Sequence, residues 1–254
     1  NGILEAADQK KLAQKKIAVI GCGGLGGYLI EMLGRLGLRH INACDGDVFS
    51  VSNLNRQLLA TEDNLGKNKA KAAAIRMETV NSEVSVRAFA EYLTPENAAR
   101  IFDGCDLVID ALDSPQAKCM LEELCEGFRL PLVHGAVEGW FGQVCTVMPG
   151  DWILRSLYQN TNRGDRQEAE KTGNPSFTPA AVAALQVSEA LKVLLDKEGI
   201  LRNEVLFLDL YCGEFQKIKM EKEDIGKAQG SAASLPERRK HGACEISDSS
   251  HHLE

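Results

Sequence analysis

Two stretches near the start of the chain have the residue types and spacing of a nucleotide site. The first is the glycine-rich run Gly21-Cys22-Gly23-Gly24-Leu25-Gly26, and the second extends from Asp45 to Gln57. Glycine lets a backbone approach a ligand closely, and the free N–H groups at a helix start bind anions. The candidate phosphate-binding glycines are Gly21, Gly23, Gly24 and Gly26.

Basic and polar side chains after Asp45 suit a triphosphate better than a dinucleotide. Arg56 and Lys69 would supply cationic donors that neutralise a triphosphate and stabilise the charge that grows during attack at the α-phosphorus. Taken alone, both could be solvated helix charges. Hydride transfer needs fewer phosphate ligands, so a nicotinamide dehydrogenase is the weaker alternative. The polar residues in this succession are Asn53, Arg56, Gln57 and Lys69.

Asp113 is the candidate metal ligand. The segment Leu107–Asp113 is predicted to be a buried strand whose carboxyl end brings Asp113 to the ligand-binding edge of the sheet. A carboxylate beside a triphosphate is a natural ligand of Mg²⁺. Asp110 is expected instead to cap the strand end or the next helix, which Ser114 and Pro115 open as N-cap and first residue.

The elements that must position these residues form a strand-turn-helix-strand unit. Lys16–Ile20 is a short β-branched run typical of a buried parallel strand, and leucines with helical spacing follow the glycines. The next strand, Ile41–Cys44, ends at Asp45, where a carboxylate would meet a ribose hydroxyl. This context favours a nucleotide site over a merely structural glycine turn.

At these residues the chain closely resembles the ThiF/MoeB/HesA family, the bacterial relatives of ubiquitin-activating enzymes. The resemblance rests on GCGGLG, DGDVFSVSNLNRQ, the turn with Gly66 and Lys69, and DALDS, which follow in family order between Gly2 and Met220. It implies that ATP adenylates the C-terminal Gly carboxylate of a small ubiquitin-like carrier ending in Gly-Gly, with release of pyrophosphate. It also implies a homodimer.

The resemblance assigns roles residue by residue. Asp45 would hold the ribose and Asp113 the Mg²⁺, while Asp47 belongs to the nucleotide-binding motif. Arg56, Lys69 and Asp113 are the catalytic candidates. Family members usually add an Arg from an N-terminal segment that reaches into the partner's site, and Asn1 lies about where that segment would have ended. The residues expected around the phosphates are Ser52, Asn53, Arg56, Gln57 and Lys69.

Many family members bind a structural zinc through two C-x-x-C pairs, but we expect no zinc site here. The aligned positions carry Ile153 with Ser156 and Cys244 with Ser247, so three of the four thiolates are missing. The segment Asn160–Ser176 lacks the cysteine that some relatives use for covalent adducts. Its polar composition predicts a flexible loop, either a lid over the carrier tail or a linker.

The whole-chain properties limit the partners. A net charge of −7, from 29 basic and 36 acidic residues, argues against nucleic acid and disfavours an alternative enzyme that adenylates a tRNA-linked carboxylate. A non-catalytic relative would have lost phosphate ligands, and this chain keeps them. No apolar run approaches membrane-span length and no signal peptide is evident, so we expect no membrane contact and a cytoplasmic protein.

The pattern predicts one α/β domain over residues 1–220 and a disordered tail over 221–254. Its fold class is Rossmann-like and doubly wound, with a mainly parallel sheet continued by antiparallel strands. His134 is expected to be a packed histidine, since an ionised carboxylate needs no base, and packing is preferred for Trp140 and Phe141. The remaining predicted elements are a polar helix over 1–16, helices over 67–80 and 179–195, a helix opened by Thr94, and strands over 84–89, 131–136, 140–148, 205–208 and 215–218.

Overall fold

The structure is a computed structural model that describes residues 4–158 and 173–220. The strands within these ranges are β1 Lys16–Ile20, β2 His40–Cys44, β3 Ser85–Phe89, β4 Leu107–Asp110, β5 Leu132–Glu138, β6 Phe141–Val147, β7 Glu204–Asp209 and β8 Glu214–Lys219. The helices are α1 Ala6–Gln14, α2 Gly24–Arg35, α3 Lys69–Val80, α4 Pro95–Ile101, α5 Pro115–Phe128, α6 Ile153–Tyr158 and α7 Phe177–Leu194.

All eight strands belong to one sheet in the order β3-β2-β1-β4-β5-β6-β7-β8. Neighbouring strands from β3 to β5 are parallel, whereas β5 to β8 pair in antiparallel fashion. The predicted fold class is therefore confirmed. From β1 the chain continues to β2 and β3 on one side, and from β4 it continues to β5 on the other side. The connections therefore leave a crevice between the carboxyl ends of β1 and β4, where doubly wound folds bind ligands.

Both faces of the sheet are covered where its strands are parallel. Helices α2, α3 and α7 pack on one face, with Leu29, Met77 and Val182 among the fully buried side chains. Helices α4, α5 and α6 pack on the other face, where Ile101 and Leu121 are fully buried. Burying one such side chain contributes about 1.5–3 kcal/mol, so these helices hold the ends of the strands in fixed positions.

Several predicted boundaries differ from the structure. Strand β4 ends at Asp110 rather than Asp113, because the Asp110 carboxylate accepts the N–H of Leu112 at 2.9 Å and turns the chain. Helix α3 begins two residues later than predicted, since the Asn68 side chain caps it. The polar N-terminal helix ends at Gln14, and α6 was not predicted. Residues 160–172 of the predicted loop and the predicted tail lie outside the described residues.

Helix α7 corrects the expectation that no apolar run approaches membrane-span length. By length and composition alone, this 18-residue helix, with a mean hydropathy of 1.2, is long and apolar enough to cross a membrane. Half of it is buried inside the structure, where it packs against α2 and strands β4 to β6. This packing is that of a core helix.

Candidate active site

The glycine-rich turn between β1 and α2 is closed by contacts that only glycine permits. Gly21 has a φ of +96°, and a Cβ there would lie 2.5 Å from the carbonyl oxygen of Ala111. A Cβ on Gly26 would lie 1.9 Å from the carbonyl oxygen of Gly21. Gly21 and Gly26 therefore let the turn fold onto itself and against the chain that follows β4.

The start of α2 is open to a ligand. Gly23 is the N-cap residue and provides no side-chain hydrogen bond to the first turn. A Cβ on Gly23 would come within 3.4 Å of the amide nitrogen of Gln57, and one on Gly24 would lie 3.7 Å from Pro179. Gln57 is only 7% exposed, and its Oε1 has no hydrogen-bond partner among the described residues. Buried polar atoms are normally paired, so this amide indicates a place for a ligand or water.

Asp45 joins the second predicted stretch to the glycine-rich turn. Its Oδ2 accepts the N–H of Cys22 at 2.7 Å, and its Oδ1 accepts the N–H of Asp47 at 2.8 Å. Burial raises the pKa of Asp45 above its ordinary value. The two hydrogen bonds favour the charged form and so act in the opposite direction, but burial outweighs them. Each carboxylate oxygen has a second lone pair, so Asp45 can still accept ribose hydroxyls.

Lys69 and Asp47 form an ion pair at the end of β2. The Lys69 ammonium is largely buried and lies 3.0 Å from Asp47 Oδ2. The hydroxyl of Tyr92 donates to the other oxygen of Asp47, and these contacts, Tyr92 foremost, hold the pKa of Asp47 below its usual range. Asn68 donates to the carbonyl oxygens of Asp45 and Asp47 at 2.8 and 3.0 Å, which fixes the loop.

The loop that carries Arg56 is organised by its own side chains. Buried Asn53 accepts the N–H of Ser50 at 3.1 Å, and Ser52 is exposed. Arg56 is half-buried and donates to the carbonyl oxygen of Ser52 at 3.0 Å and to Asn55 at 2.9 Å. The structure thus brings Gln57 to the glycine-rich turn. Within the described ranges, no hydrogen bond or ion pair joins Arg56 or Ser52 to that turn or to Lys69.

Asp113 lies beyond β4 and just before α5, whose N-cap Ser114 accepts the N–H of Ala117 at 3.1 Å. Its carboxylate is exposed, and in the described part of the chain it makes no hydrogen bond or ion pair. No group of three or more His, Cys, Asp or Glu residues positioned to hold a metal occurs in residues 4–158 and 173–220. Asp113 therefore suits Mg²⁺ of the kind that one or two carboxylates share with substrate phosphates.

Asp110 is the centre of a buried polar network that the sequence did not reveal. Its Oδ2 accepts from Lys118 at 2.9 Å and lies 2.6 Å from His134 Nδ1, and all three side chains are buried. Burial alone would raise the pKa of Asp110, but Lys118 and His134 outweigh it and lower the pKa below its ordinary value. Asp110 thus caps the strand end, as predicted, and is not a metal ligand candidate.

His134 is a packed histidine, as expected. Burial lowers its pKa, so the imidazole is neutral at pH 7 and its Nδ1 carries the proton that faces the Asp110 carboxylate. Its Nε2 accepts from the hydroxyl of Tyr158 at 3.2 Å, and the oxygen of that hydroxyl accepts from Gln143. The network therefore runs from the end of β4 to the end of α6, beneath the candidate site.

The sequence interpretation also missed Tyr92 and Asn68. Asn68 has the recognisable form of an N-cap before a helix, but its second role, bonding the loop after β2, depends on a tertiary contact. Nothing local marks Tyr92, because its partner Asp47 is 45 residues away.

The aligned zinc positions are only partly described. Ile153 is buried at the start of α6, and Ser156 donates to the carbonyl oxygen of Trp152 at 3.1 Å. Cys244 and Ser247 lie outside the described residues, so the absence of a zinc site stays a prediction.

Trp140 packs against Phe177, with ring centroids 4.6 Å apart.

The family model and the relatives found by comparison with known proteins agree on one family. The model of the family described as ThiF family matches residues 2–227. The chain is 32% identical over 211 residues to the SAMP-activating enzyme E1 of Haloferax volcanii. The aligned region covers 83% of this chain and 78% of that protein. It is 32% identical over 241 residues to the sulfur carrier protein ThiS adenylyltransferase of Bacillus subtilis, covering 93% and 66%.

Other relatives are longer than the region they share with this chain. The adenylyltransferase and sulfurtransferase MOCS3 of Culex quinquefasciatus is 30% identical over 220 residues, and the match covers 84% of this chain but 49% of that protein. Among solved structures, E. coli MccB with ATP superposes with a TM-score of 0.72 at 21% identity, covering 84% of this chain and 65% of that one. At this identity the likeness shows the fold alone.

Proposed function

The chain belongs to the ThiF family, and from that premise we propose that it is an ATP-dependent adenylyltransferase. Its substrate would be the C-terminal Gly carboxylate of a small ubiquitin-like carrier protein ending in Gly-Gly. Relatives named for the activation of SAMP and ThiS support this substrate class. The observation that supports the proposal most is the hydrogen bond from the glycine-rich turn to Asp45, which joins the helix start that would bind phosphate to the carboxylate that would bind ribose.

The residues of the site fit a nucleoside triphosphate. The uncapped start of α2 offers free backbone N–H groups to phosphate oxygens, and the unpaired amide oxygen of Gln57 would accept a hydrogen bond from a nucleotide hydroxyl or a water. Asp45 would bind the ribose, and Lys69 and Arg56 would bind the phosphates. Arg56 donates to Ser52 and Asn55 through Nη1 alone, and these exposed hydrogen bonds have a small net stability that contact with a phosphate would outweigh.

The reaction requires position and charge rather than a base. The carrier carboxylate is ionised at neutral pH, so one of its oxygens attacks the α-phosphorus directly. A bond forms between that oxygen and phosphorus, and the bond to the bridging oxygen breaks, with its electron pair leaving on pyrophosphate. The product is an acyl-adenylate. Lys69 and Arg56 would stabilise the negative charge that grows on the phosphate oxygens in the transition state.

A bound Mg²⁺ would neutralise phosphate charge and polarise the phosphorus as a Lewis acid. Asp113 is the residue that would hold it, because its exposed carboxylate makes no hydrogen bond or ion pair within the described residues and it follows the carboxyl end of β4, at the same edge of the sheet where Asp45 follows β2. The proposed assembly is a homodimer.

The test is carrier-dependent exchange of labelled pyrophosphate into ATP. We expect exchange with a Gly-Gly-ending carrier and none with the same carrier lacking its last glycine. Lys69→Ala should lower the exchange rate by about 10²-fold or more, since it removes a charge that acts in the transition state. Lys71→Ala, an exposed lysine on the same helix, is the matched control and should keep the wild-type rate.

Two outcomes would contradict the proposal. Calorimetry that shows NAD bound at least as tightly as ATP would favour a dehydrogenase. An exchange rate that is unchanged in Lys69→Ala would remove Lys69 from the site.

A further inference from the structure

Tyr92 is an exposed aromatic residue that is nevertheless held in place. It follows β3 and is 65% exposed, so it contributes little to the core. Its carbonyl oxygen accepts from Asn97 Nδ2 at 2.8 Å, and its hydroxyl donates to Asp47. The next loop residue inward, Glu91, is bonded by both Asn97 and Arg100. The ring is therefore fixed at both ends while one face stays open to solvent.

The ring lies directly on the backbone of the nucleotide-binding motif. A Cβ on Gly46 would come within 2.8–2.9 Å of three ring carbons of Tyr92, so only glycine at position 46 leaves room for the ring. Gly46 separates Asp45 from Asp47. The hydrogen bond and charge of Asp47, with smaller effects of Asp45 and Asp113, raise the pKa of Tyr92, which places its hydroxyl among the carboxylates of the candidate site.

The order of the strands indicates which part of a nucleotide this ring would meet. The phosphates belong at the start of α2, after β1, and the ribose belongs at Asp45, after β2. The sheet continues in the same direction to β3. A nucleotide extended along this edge directs its base toward the loop that follows β3, and Tyr92 is the aromatic residue of that loop.

We propose that Tyr92 is the wall on which the adenine base of ATP stacks. This inference rests on the proposed function and adds a positioning residue to it. The ring makes the base contact, whereas the hydroxyl only holds the ring in place through its hydrogen bond to Asp47. Loss of the ring should weaken ATP binding by about 5- to 100-fold, the usual effect of removing an aromatic residue that stacks on a base.

The experiment is calorimetric titration of the full chain with ATP and with inorganic tripolyphosphate. In Tyr92→Ala we expect the Kd for ATP to rise by about 5- to 100-fold and the Kd for tripolyphosphate to stay unchanged. In Tyr92→Phe, which keeps the ring, the Kd for ATP should remain within about twofold of wild type. Tyr211→Ala, which removes a comparably exposed tyrosine beside Trp140, is the matched control and should bind ATP as wild type does.

A proton NMR measurement gives a second readout. The adenine H2 and H8 resonances should shift upfield on binding to wild type and to Tyr92→Phe, but not to Tyr92→Ala. An equal loss of ATP affinity in the Ala and Phe variants, or an equal loss for tripolyphosphate, would overturn stacking, because either result assigns the effect to the hydroxyl and Asp47. Unchanged ATP binding in Tyr92→Ala would overturn it as well. Failure of the wild-type protein to bind ATP would instead overturn the proposed function.

Discussion

Asp110 shows how a single residue beneath the site can govern stability. Its carboxylate is fully buried, and Lys118 is the cation that balances its charge, while a neutral His134 supplies a hydrogen bond. A buried charge that loses its partner is strongly destabilising, whereas an exposed ion pair contributes little. The same carboxylate turns the chain toward Asp113, so the network also sets the position of the candidate metal ligand.

The first prediction at this scale is that Lys118→Met lowers the free energy of unfolding by about 3–5 kcal/mol at pH 7. In wild type the folded pKa of Asp110 is lowered, so its stabilising effect is present above the unfolded value near 3.9 and is lost as the pH falls through the folded pKa. In the variant, burial would raise that pKa, so proton uptake on acidification relieves the unpaired charge. The difference in unfolding free energy between wild type and Lys118→Met should therefore become smaller as the pH falls from 7 to about 5.

Urea unfolding at several pH values measures this difference. Lys11→Met removes the exposed pair with Asp196 and serves as the control, with little or no loss of stability expected. A Lys118→Met penalty that stays constant, or grows, as the pH falls would contradict the assignment of the charge to Asp110.

Residues whose place follows from the local pattern of strand, turn and helix were the ones that could be predicted. The glycine-rich turn, Asp45 and the Ser114 cap follow from local spacing, and the structure places them as expected. Lys118 could not be predicted, because a lysine on a helix is ordinarily solvated and its partners Asp110 and Gly135 come from two strands. Tyr92 was missed for the same reason.

At the scale of elements, the turn from β1 to α2 contains the glycine, Gly26, with the least room for a Cβ among the glycines of the described residues. We predict that Gly26→Ala destabilises the protein by about 1–3 kcal/mol or more, because its Cβ would overlap the carbonyl oxygen of Gly21 and force backbone to move. The displaced turn should also weaken ATP binding. Urea unfolding and calorimetry measure the two effects.

Gly127→Ala provides the control for that prediction. Gly127 is exposed in α5, and a Cβ there would meet nothing within 4 Å. Alanine favours helix over glycine, so this variant should be unchanged or more stable by up to about 1 kcal/mol. A Gly26→Ala protein as stable as Gly127→Ala would show that the turn relaxes freely.

Strands and long helices could be predicted as elements because their apolar pattern is continuous over several residues. Helix α6 could not, because its six residues are held by a distant carboxylate. Buried Glu122 accepts the N–H groups of Leu154 and Arg155 at 2.7 and 2.9 Å. Helix starts that depend on a side chain from another helix leave no signal in their own sequence.

At the scale of the whole molecule, the homodimer stays a prediction. The apolar residues of α7, such as Val182 and Leu194, do not need a second subunit to cover them. They are buried within the chain itself, against α2 and the sheet. Among the exposed apolar side chains of the described residues, four lie together on the loop that carries Arg56, namely Val48, Val51, Leu54 and Leu58.

The last prediction is that this loop forms part of a symmetric dimer interface. Val51 is 71% exposed, and neighbouring apolar side chains that face solvent together favour a covered surface. In a two-fold interface each substitution acts twice, so Val51→Asp should raise the dimer dissociation constant by about tenfold or more. Pyrophosphate exchange should fall with it, since the interface would hold the Arg56 loop in place.

Sedimentation equilibrium over a range of concentrations measures the association. Phe215→Asp introduces the same charge at an exposed apolar residue of β8, at the opposite end of the sheet from β3, and should leave the dimer intact. Val51 is 71% exposed and buries little within the chain, so at concentrations where both proteins are monomeric its variant should keep the wild-type unfolding free energy. A wild-type protein that is monomeric and fully active, or a Val51→Asp protein that dimerises normally, would contradict this interface.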